Sequence, residues 1–125
     1  MSPVAKRILC VDDDEDTCTM LNVFLNQAGF DVVTAQSSVQ GLELAQSQKF
    51  DLYLLDLWLK GDDSKTELFR RIRQFDDETP IVIYSADARQ ATQDSLSKAN
   101  VQAFLTKPKG LDTLIQTIMQ LTSLN

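Results

Sequence analysis

The chain alternates short apolar runs with longer segments in which apolar residues recur every three or four positions. The short runs are rich in valine, isoleucine, leucine and aromatic residues, which is typical of strands. They predict strands at 7–11, 31–35, 51–55, 81–85 and 103–106. The longer segments predict helices at 15–27, from Ser37 or Ser38 to about 48, at 66–74, at 87–98 and at 111–121.

The spacing of the apolar residues also predicts which face of each helix packs on the sheet. In the first helix that face comprises Met20, Leu21, Phe24, Leu25 and Ala28, and Gly29 ends the helix. In the second it comprises Val39, Leu42 and Ala45, in the third Leu68, Phe69 and Ile72, and in the last Leu111, Leu114, Ile115, Ile118 and Leu121. Each predicted helix therefore buries one stripe and exposes the opposite side.

The strands predict an α/β fold. Arg7–Val11 is almost continuously apolar, as expected of a strand that is covered on both faces. Strands that alternate with helices through short connections form a parallel sheet with helices on both sides, which is a doubly wound arrangement. The 125 residues contain no repeat, low-complexity segment or linker, so we expect one domain over 1–125 with its core at about 6–121.

Charged and hydroxyl residues lie at the ends of the predicted strands. Asp12 and Asp13 follow the first strand, Asp56 the third and Lys107 the fifth, and Ser85 ends the fourth. The carboxyl ends of parallel strands share one edge of the sheet, where ligands bind in doubly wound folds. A cluster of carboxylates is costly unless a cation offsets it, so the pattern indicates a metal ion and a phosphoryl group.

Each of these residues also has a simpler interpretation. The 12–16 segment can be a solvated loop whose acidic residues favour the dipole of the following helix. Asp56 can be a solvent-facing cap, or else a metal ligand or a nucleophile. Ser85 can be a turn residue or a donor to a phosphoryl oxygen, and an isolated lysine such as Lys107 is usually solvated. On statistics alone, an aromatic residue such as Phe104 is more often part of the core than of a mechanism.

The composition of the chain excludes several functions and metal sites. A net charge of −6 disfavours direct nucleic-acid binding, because the phosphates would be repelled. No apolar run approaches the roughly 18 residues of a membrane span, and two cysteines form no disulfide framework, so we expect a cytoplasmic protein. The absence of histidine excludes histidine-based catalysis and histidine metal sites within the chain. Any metal must be bound by oxygen atoms, which favours Mg²⁺ or Ca²⁺.

Several segments occur in the order found in one known family. They are 8–13 (Ile-Leu-Cys-Val-Asp-Asp), 51–56 (Asp-Leu-Tyr-Leu-Leu-Asp), 68–73 (Leu-Phe-Arg-Arg-Ile-Arg), 81–86 (Ile-Val-Ile-Tyr-Ser-Ala), Phe104 and Lys107-Pro108. In these segments the chain closely resembles the receiver domain of two-component response regulators, the chemotaxis-regulator fold, over about 6–121. The resemblance implies a flavodoxin-like, five-stranded parallel sheet in the order 2-1-3-4-5.

The resemblance also assigns roles by position. Asp56 corresponds to the phosphoacceptor. Asp13 and Asp56 correspond to direct ligands of Mg²⁺, the main-chain carbonyl oxygen of Trp58 corresponds to a third ligand, and Asp12 corresponds to the acid that acts through water. Ser85 corresponds to the hydroxyl residue that binds the phosphoryl group and moves on activation.

The remaining roles concern how the signal is received and passed on. Lys107 corresponds to the lysine that pairs with the phosphoryl group, and Phe104 to the aromatic residue of the switch. A histidine kinase or a phosphotransfer protein would be the donor, which fits the absence of histidine in this chain. Phosphorylation would shift the surface of the fourth helix, the fifth strand and the last helix toward binding an output protein or domain, or a homodimer partner. The resemblance thus implies a signalling acceptor and not an independent enzyme, with only its own phosphorylation and dephosphorylation as chemistry.

The loop after Asp56 departs from the family. The family usually has Met-Pro at the third and fourth positions beyond the phosphoacceptor and Gly at the eighth, where this chain has Leu59, Lys60 and Ser64. We therefore expect the 58–64 loop to have its own conformation. That conformation affects the carbonyl of Trp58 and, through it, the affinity for Mg²⁺.

Two alternatives stay open. A degenerate receiver would act as a phosphorylation-independent interaction module, which the altered 58–64 loop allows. A phosphatase of the haloacid dehalogenase type has Asp-x-Asp after a strand, as at 12–14, but it continues with Gly-Thr where this chain has Glu15 and Asp16. A calcium loop of the EF-hand kind fails because Thr17 and Val23 occupy its glycine and final glutamate positions.

Overall fold

A computed structural model describes residues 5–56, 67–85, 101–107 and 110–123. The strands are β1 (Arg7–Val11), β2 (Asp31–Ala35), β3 (Leu52–Leu55), β4 (Ile81–Ser85) and β5 (Ala103–Thr106). The helices are α1 (Glu15–Gln27), α2 (Ser38–Ser47), α3 (Glu67–Arg73) and the C-terminal helix (Leu111–Thr122). These elements confirm their predicted bounds to within one residue at each end. The predicted fourth helix and the 58–64 loop lie outside the described residues.

The strands form one parallel sheet in the order β2-β1-β3-β4-β5, which confirms the predicted topology. β1 pairs with β2 on one side and with β3 on the other, so that Val11 lies beside both Ala35 and Leu55. The point between β1 and β3 is where the order of strands reverses, and ligands of doubly wound sheets bind beyond the carboxyl ends of the strands there. Asp12 and Asp56 follow these two strands directly.

The apolar residues of the sheet divide into two cores, one on each face. The core under α2 and α3 contains Leu9, Val11, Leu55, Leu68, Phe69, Ile72 and Ile83. The core under α1 and the C-terminal helix contains Cys10, Leu21, Leu25, Leu54, Tyr84, Leu114 and Ile118. Helices therefore cover both faces of the sheet, as predicted. Within the described ranges, no helix is long and apolar enough to cross a membrane.

Two residues are exposed although their helix faces are predicted to be buried. Phe24 of α1 is 41% exposed and Val39 of α2 is 64% exposed. The buried residues of α1 are Cys18, Leu21 and Leu25, and those of α2 are Ser38, Gly41 and Ala45. Phe24 and Val39 are each one position from these stripes, about 100° around the helix. Their predicted burial is wrong because the buried stripe of each helix is displaced from the predicted face, and in α2 that stripe contains the small residues Ser38 and Gly41.

Gly41 brings α2 close to β1. A Cβ atom at this position would lie 2.8 Å from Cγ2 and 3.2 Å from Cγ1 of Val11. Any side chain at position 41 would therefore displace Val11, whose branched side chain has little rotamer freedom. Val11 is the last residue of β1, and its carbonyl oxygen accepts the N–H of Asp56 at 2.8 Å. The packing of α2 is thus coupled to the carboxyl edge of the sheet.

Gly41→Ala is expected to lower the free energy of unfolding by about 1–2 kcal/mol, because over-packing of this contact outweighs the gain in helix propensity. Urea unfolding of the wild type and the variant measures the difference. Val11→Ala removes the methyl groups that would clash with an alanine side chain at position 41. It should therefore lower the free energy of unfolding less in the Gly41→Ala background than in the wild type. A Gly41→Ala protein that is more stable than the wild type would contradict the close packing.

Asp76 joins the end of α3 to β3 and β4 at the amino edge of the sheet. Its carboxylate accepts hydrogen bonds from the Tyr53 hydroxyl at 3.0 Å and from the N–H groups of Glu78 at 3.2 Å and Thr79 at 3.0 Å. Its carbonyl oxygen accepts from Arg73 at 2.9 Å. Burial alone would raise the pKa of Asp76, but the hydrogen bonds from Thr79, Tyr53 and Glu78 outweigh it and lower the pKa from 3.8.

Asp76→Ala is expected to cost about 1–3 kcal/mol near pH 7, because three donors lose their acceptor. The folded-state pKa is lowered, so this contribution is present above the ordinary carboxyl pKa and is lost as the pH falls through the folded-state value. The difference between wild type and variant in urea unfolding should therefore shrink below about pH 4. Asp77→Ala, a change at an exposed neighbour, is the control and should cost less than about 0.5 kcal/mol. If the difference in unfolding free energy between wild type and Asp76→Ala stays constant with pH, the ionised carboxylate of Asp76 is not its origin.

Candidate functional site

Two backbone hydrogen bonds fix the positions of the site carboxylates at the end of the sheet. The N–H of Asp12 donates to the carbonyl oxygen of Ala35 at 3.0 Å, and the N–H of Asp56 donates to that of Val11 at 2.8 Å. Both bonds continue the ladders of the parallel sheet by one residue beyond β1 and β3. The two side chains therefore leave the sheet from neighbouring, well-anchored strands.

Three carboxylates converge at this edge, as predicted. Asp12, Asp13 and Asp56 each place one carboxylate oxygen within 4.8 Å of those of the other two. Asp12 is buried, with 3% of its surface exposed, whereas Asp13 and Asp56 are half-buried. Like charges this close repel strongly when water is largely excluded. The cluster therefore requires a compensating cation.

Lys107 supplies one positive charge to this cluster. Its Nζ lies 2.5 Å from Oδ2 of Asp12 and 3.8 Å from Oδ2 of Asp56. Burial by itself would lower the pKa of Lys107, but the hydrogen bond with Asp12 and the charges of Asp12 and Asp56 outweigh it, so the pKa is raised. Lys107 is thus held as an ammonium ion between two carboxylates, closer to Asp12.

Ser85 ends β4 beside this cluster. Its carbonyl oxygen accepts the N–H of Lys107 at 2.7 Å, which ties the ends of β4 and β5 together. The residue is fully buried, and its Oγ has no hydrogen-bond partner within the described part of the chain. A buried hydroxyl without a partner is costly, so its presence at this edge is consistent with a ligand that would bind it.

Two further residues, Phe104 and Trp58, were predicted to belong to the site. Phe104 is half-buried in β5, pairs with Ile83 of β4 and packs against the core under α2 and α3. This packing agrees with the simpler interpretation of the residue and leaves its switch role a prediction. Trp58 lies outside the described residues, as does the loop that follows it.

Three contacts of the site were not predicted from the sequence. The centroid of the Tyr84 ring lies 5.5 Å from Nζ of Lys107. The carbonyl oxygen of Asp12 accepts from Sγ of Cys18 at 3.2 Å, and its Oδ1 accepts from the N–H of Asp14 at 2.9 Å. An aromatic residue directly before Ser85 was the available signal for the first contact. The second depends on the direction of α1, which the apolar pattern predicts poorly.

The donor set fits a hard divalent cation. Asp12, Asp13 and Asp56 offer oxygen ligands alone, which suits Mg²⁺ better than metals that prefer nitrogen or sulfur. A divalent ion would offset the repulsion among three carboxylates that the single charge of Lys107 leaves uncompensated. The site can therefore bind a cation and an anionic group together, at the switch point of a doubly wound sheet.

A parallel sheet in the order 2-1-3-4-5 with an acidic site at its switch point defines a flavodoxin-like domain. Comparison with known proteins then identifies the family. The profile of the response regulator receiver domain matches residues 8–119, and the chain belongs to this family. The receiver-domain resemblance is therefore confirmed over most of the chain.

Individual relatives agree with the family. The chain is 33% identical to the transcriptional regulatory protein GlrR of Escherichia coli over 118 residues, which cover 94% of this chain and 26% of that protein. A CheY-like receiver domain from Methanospirillum hungatei matches with a TM-score of 0.91 and 25% identity, over 96% of this chain and 95% of that one. The response regulator TrrA of Thermotoga maritima, solved in complex with Mg²⁺-BeF, matches with a TM-score of 0.82 and 27% identity, over 93% and 98%. The chain thus spans about a quarter of the length of GlrR.

Proposed function

We propose that this chain is a phosphorylation-switched receiver in which Asp56 accepts a phosphoryl group from a phosphohistidine of a partner kinase or phosphotransfer protein. The observation that carries the proposal is the position of Asp56 at the switch point, beside two further carboxylates and 3.8 Å from Lys107. Membership of the receiver family supports this role over that of a small phosphatase. On this proposal, residues 1–125 act as one signalling domain and not as an independent enzyme.

The transfer step makes one bond and breaks one bond. A carboxylate oxygen of Asp56 forms a bond to phosphorus while the bond from phosphorus to the donor nitrogen breaks, and the imidazole retains that electron pair. The ammonium group of Lys107 then pairs with an oxygen of the aspartyl phosphate. The buried hydroxyl of Ser85, which lacks a partner among the described residues, donates to another phosphoryl oxygen.

The three clustered carboxylates would hold Mg²⁺ beside the phosphoryl group. Asp13 and Asp56 would bind it directly, Asp12 would act through water, and the carbonyl oxygen of Trp58, outside the described residues, would be a further ligand. When bound, Mg²⁺ supplies positive charge that offsets the carboxylates and the phosphoryl oxygens. The oxygen-only cluster supports this assignment, as does the similarity to TrrA, which was solved with Mg²⁺-BeF.

The signal would leave the site through β4 and β5. Ser85 and Lys107 lie at the ends of these paired strands and are joined by a backbone hydrogen bond, so a shift of one strand end is transmitted to the other. Phe104, three residues before Lys107, would change its packing in response. The surface that includes β5 and the C-terminal helix would then bind an output protein or domain, or a second copy of the chain.

Cys10 and Cys18 are free and buried, which suits a reducing cytoplasm.

Incubation with acetyl phosphate and Mg²⁺, followed by intact-mass measurement, tests the proposal. The wild-type protein is expected to gain one phosphoryl group, and EDTA should abolish the gain because the carboxylate repulsion is then uncompensated. Phosphoramidate serves as a second donor with a P–N bond. No gain with either donor would favour a contact module that works without phosphorylation.

A further inference from the structure

Tyr84 lies on the path by which Lys107 reaches the carboxylates. β5 and β1 are separated by β4 and β3, so the Lys107 side chain crosses two strands to contact Asp12. Tyr84 is on β4 and pairs with Leu105 of β5. Residues two apart in a strand share a face, so Leu105 and Lys107 lie on the same side of the sheet as Tyr84.

The two carboxylates that contact Lys107 continue this same face. Cys10 of β1, Leu54 of β3 and Tyr84 share the core under α1 and the C-terminal helix. Asp12 and Asp56 are two residues beyond Cys10 and Leu54, so the alternation of the strands brings them to the same side. The tyrosine ring therefore underlies the space in which the ammonium group and the carboxylates meet.

The ring is suited to hold a cation. Tyr84 is 4% exposed and is packed in the core, so its orientation is fixed by its neighbours. Its centroid lies 5.5 Å from Nζ of Lys107, within the range at which the electron-rich face of a ring attracts an ammonium ion. This attraction is strongest where water is excluded. A rigid ring beneath a long, flexible lysine also reduces the conformations open to that side chain.

We propose that Tyr84 is a positioning residue that holds the ammonium group of Lys107 at the carboxylate cluster through the face of its ring. The aromatic face carries this role, and the hydroxyl group is not required for it. Under the proposed function, on which this consequence rests, Tyr84 keeps Lys107 within reach of a phosphoryl group on Asp56. Replacing the ring would weaken the contact between Lys107 and Asp12 before any phosphoryl group is present.

A double-mutant cycle measures that contact directly. Urea unfolding of the parent, Asp12→Asn, Lys107→Met and the double variant gives the coupling between the two side chains as a ratio of unfolding equilibrium constants. The cycle is repeated in Tyr84→Phe and Tyr84→Leu backgrounds, all in EDTA and without a phosphodonor. All four proteins of one cycle have the same residue at position 84. The loss of stability from the cavity that leucine leaves is therefore common to all four and cancels in the ratio. The ratio is expected to be unchanged with phenylalanine and to fall about threefold to tenfold with leucine.

Two further variants keep the result interpretable. Tyr53→Leu removes another buried tyrosine, whose hydroxyl contacts Asp76 at the opposite edge of the sheet, and it should leave the coupling between Asp12 and Lys107 intact. Tyr84→Met replaces the leucine variant if the latter does not fold. Undiminished coupling without the ring, or coupling lost in Tyr84→Phe, would overturn the proposal. Neither result depends on whether Asp56 is phosphorylated, so this test and that of the proposed function can fail separately.

Discussion

Asp56→Asn is expected to gain no phosphoryl group from acetyl phosphate under conditions in which the wild-type protein gains one. The amide has no anionic oxygen to attack phosphorus, although it keeps the size and the backbone hydrogen bond of the aspartate. Asp12 and Asp13 stay in place but are not expected to substitute, because Asp12 is already paired with Lys107 at 2.5 Å and Asp13 is assigned to the metal. Intact mass of both proteins after the same incubation measures the effect.

The same variant should be more stable than the wild type without divalent ions. Among the described residues, the carboxylates of Asp12 and Asp13 lie close to that of Asp56 and repel it, whereas Lys107 attracts it from 3.8 Å. Removing its charge should raise the free energy of unfolding by about 1–2 kcal/mol in EDTA, a net effect of opposed interactions of a few kcal/mol each. Asp16→Asn, an exposed change in the same acidic segment, should retain full phosphoryl uptake. Phosphoryl uptake by Asp56→Asn equal to that of the wild type would move the acceptor elsewhere.

Lys107→Met is expected to lose about 2–4 kcal/mol of stability in EDTA, because the buried carboxylate of Asp12 is left without its cationic partner. Methionine keeps most of the apolar stem of lysine, so the loss reports the charge and its hydrogen bond. Urea unfolding at neutral pH gives the difference. The variant should also bind Mg²⁺ more tightly than the wild type, since the three carboxylates then lose the ammonium ion that lies among them in the described part of the chain.

A ligand that binds the folded state stabilises it more when it binds more tightly, so added Mg²⁺ should raise the stability of Lys107→Met more than that of the wild type. Lys49→Met removes the same charge from an exposed position. It should change stability by less than about 0.5 kcal/mol and leave the Mg²⁺ response unaltered. An equal response to Mg²⁺ in Lys107→Met and Lys49→Met would show that Lys107 does not compensate the cluster.

The fold and the position of the site follow from the apolar pattern of the sequence and from the residues at the ends of the predicted strands. Continuous apolar strands indicate a sheet covered on both faces, and parallel strands bring their carboxyl ends to one edge. For that reason the convergence of Asp12, Asp13, Asp56 and Lys107 could be predicted from strand boundaries alone. The exposure of Val39 could not be predicted, because the orientation of α2 depends on the small residues Ser38 and Gly41 as much as on its apolar ones. Phe24 is adjacent to Leu25, and the apolar pattern does not determine which of the two faces the sheet.

Other features of the site depend on side-chain packing and cannot be predicted from the sequence. That Lys107 lies closer to Asp12 than to Asp56 depends on how a flexible side chain crosses two strands. The contact with Tyr84 depends on the register between β4 and β5, which no single sequence pattern encodes. Whether the Ser85 hydroxyl has a partner is likewise a property of packing around β4.

Locating the modified residue tests whether Asp56 is the residue that carries the phosphoryl group. An acyl phosphate on aspartate is reduced by borohydride to homoserine, which remains in the chain through proteolysis. Peptide mass spectrometry of the wild-type protein, after acetyl phosphate with Mg²⁺ and then borohydride, should find homoserine at position 56. Homoserine at position 12 or 13, or an unmodified peptide from a protein whose intact mass had increased, would show that Asp56 is not the acceptor.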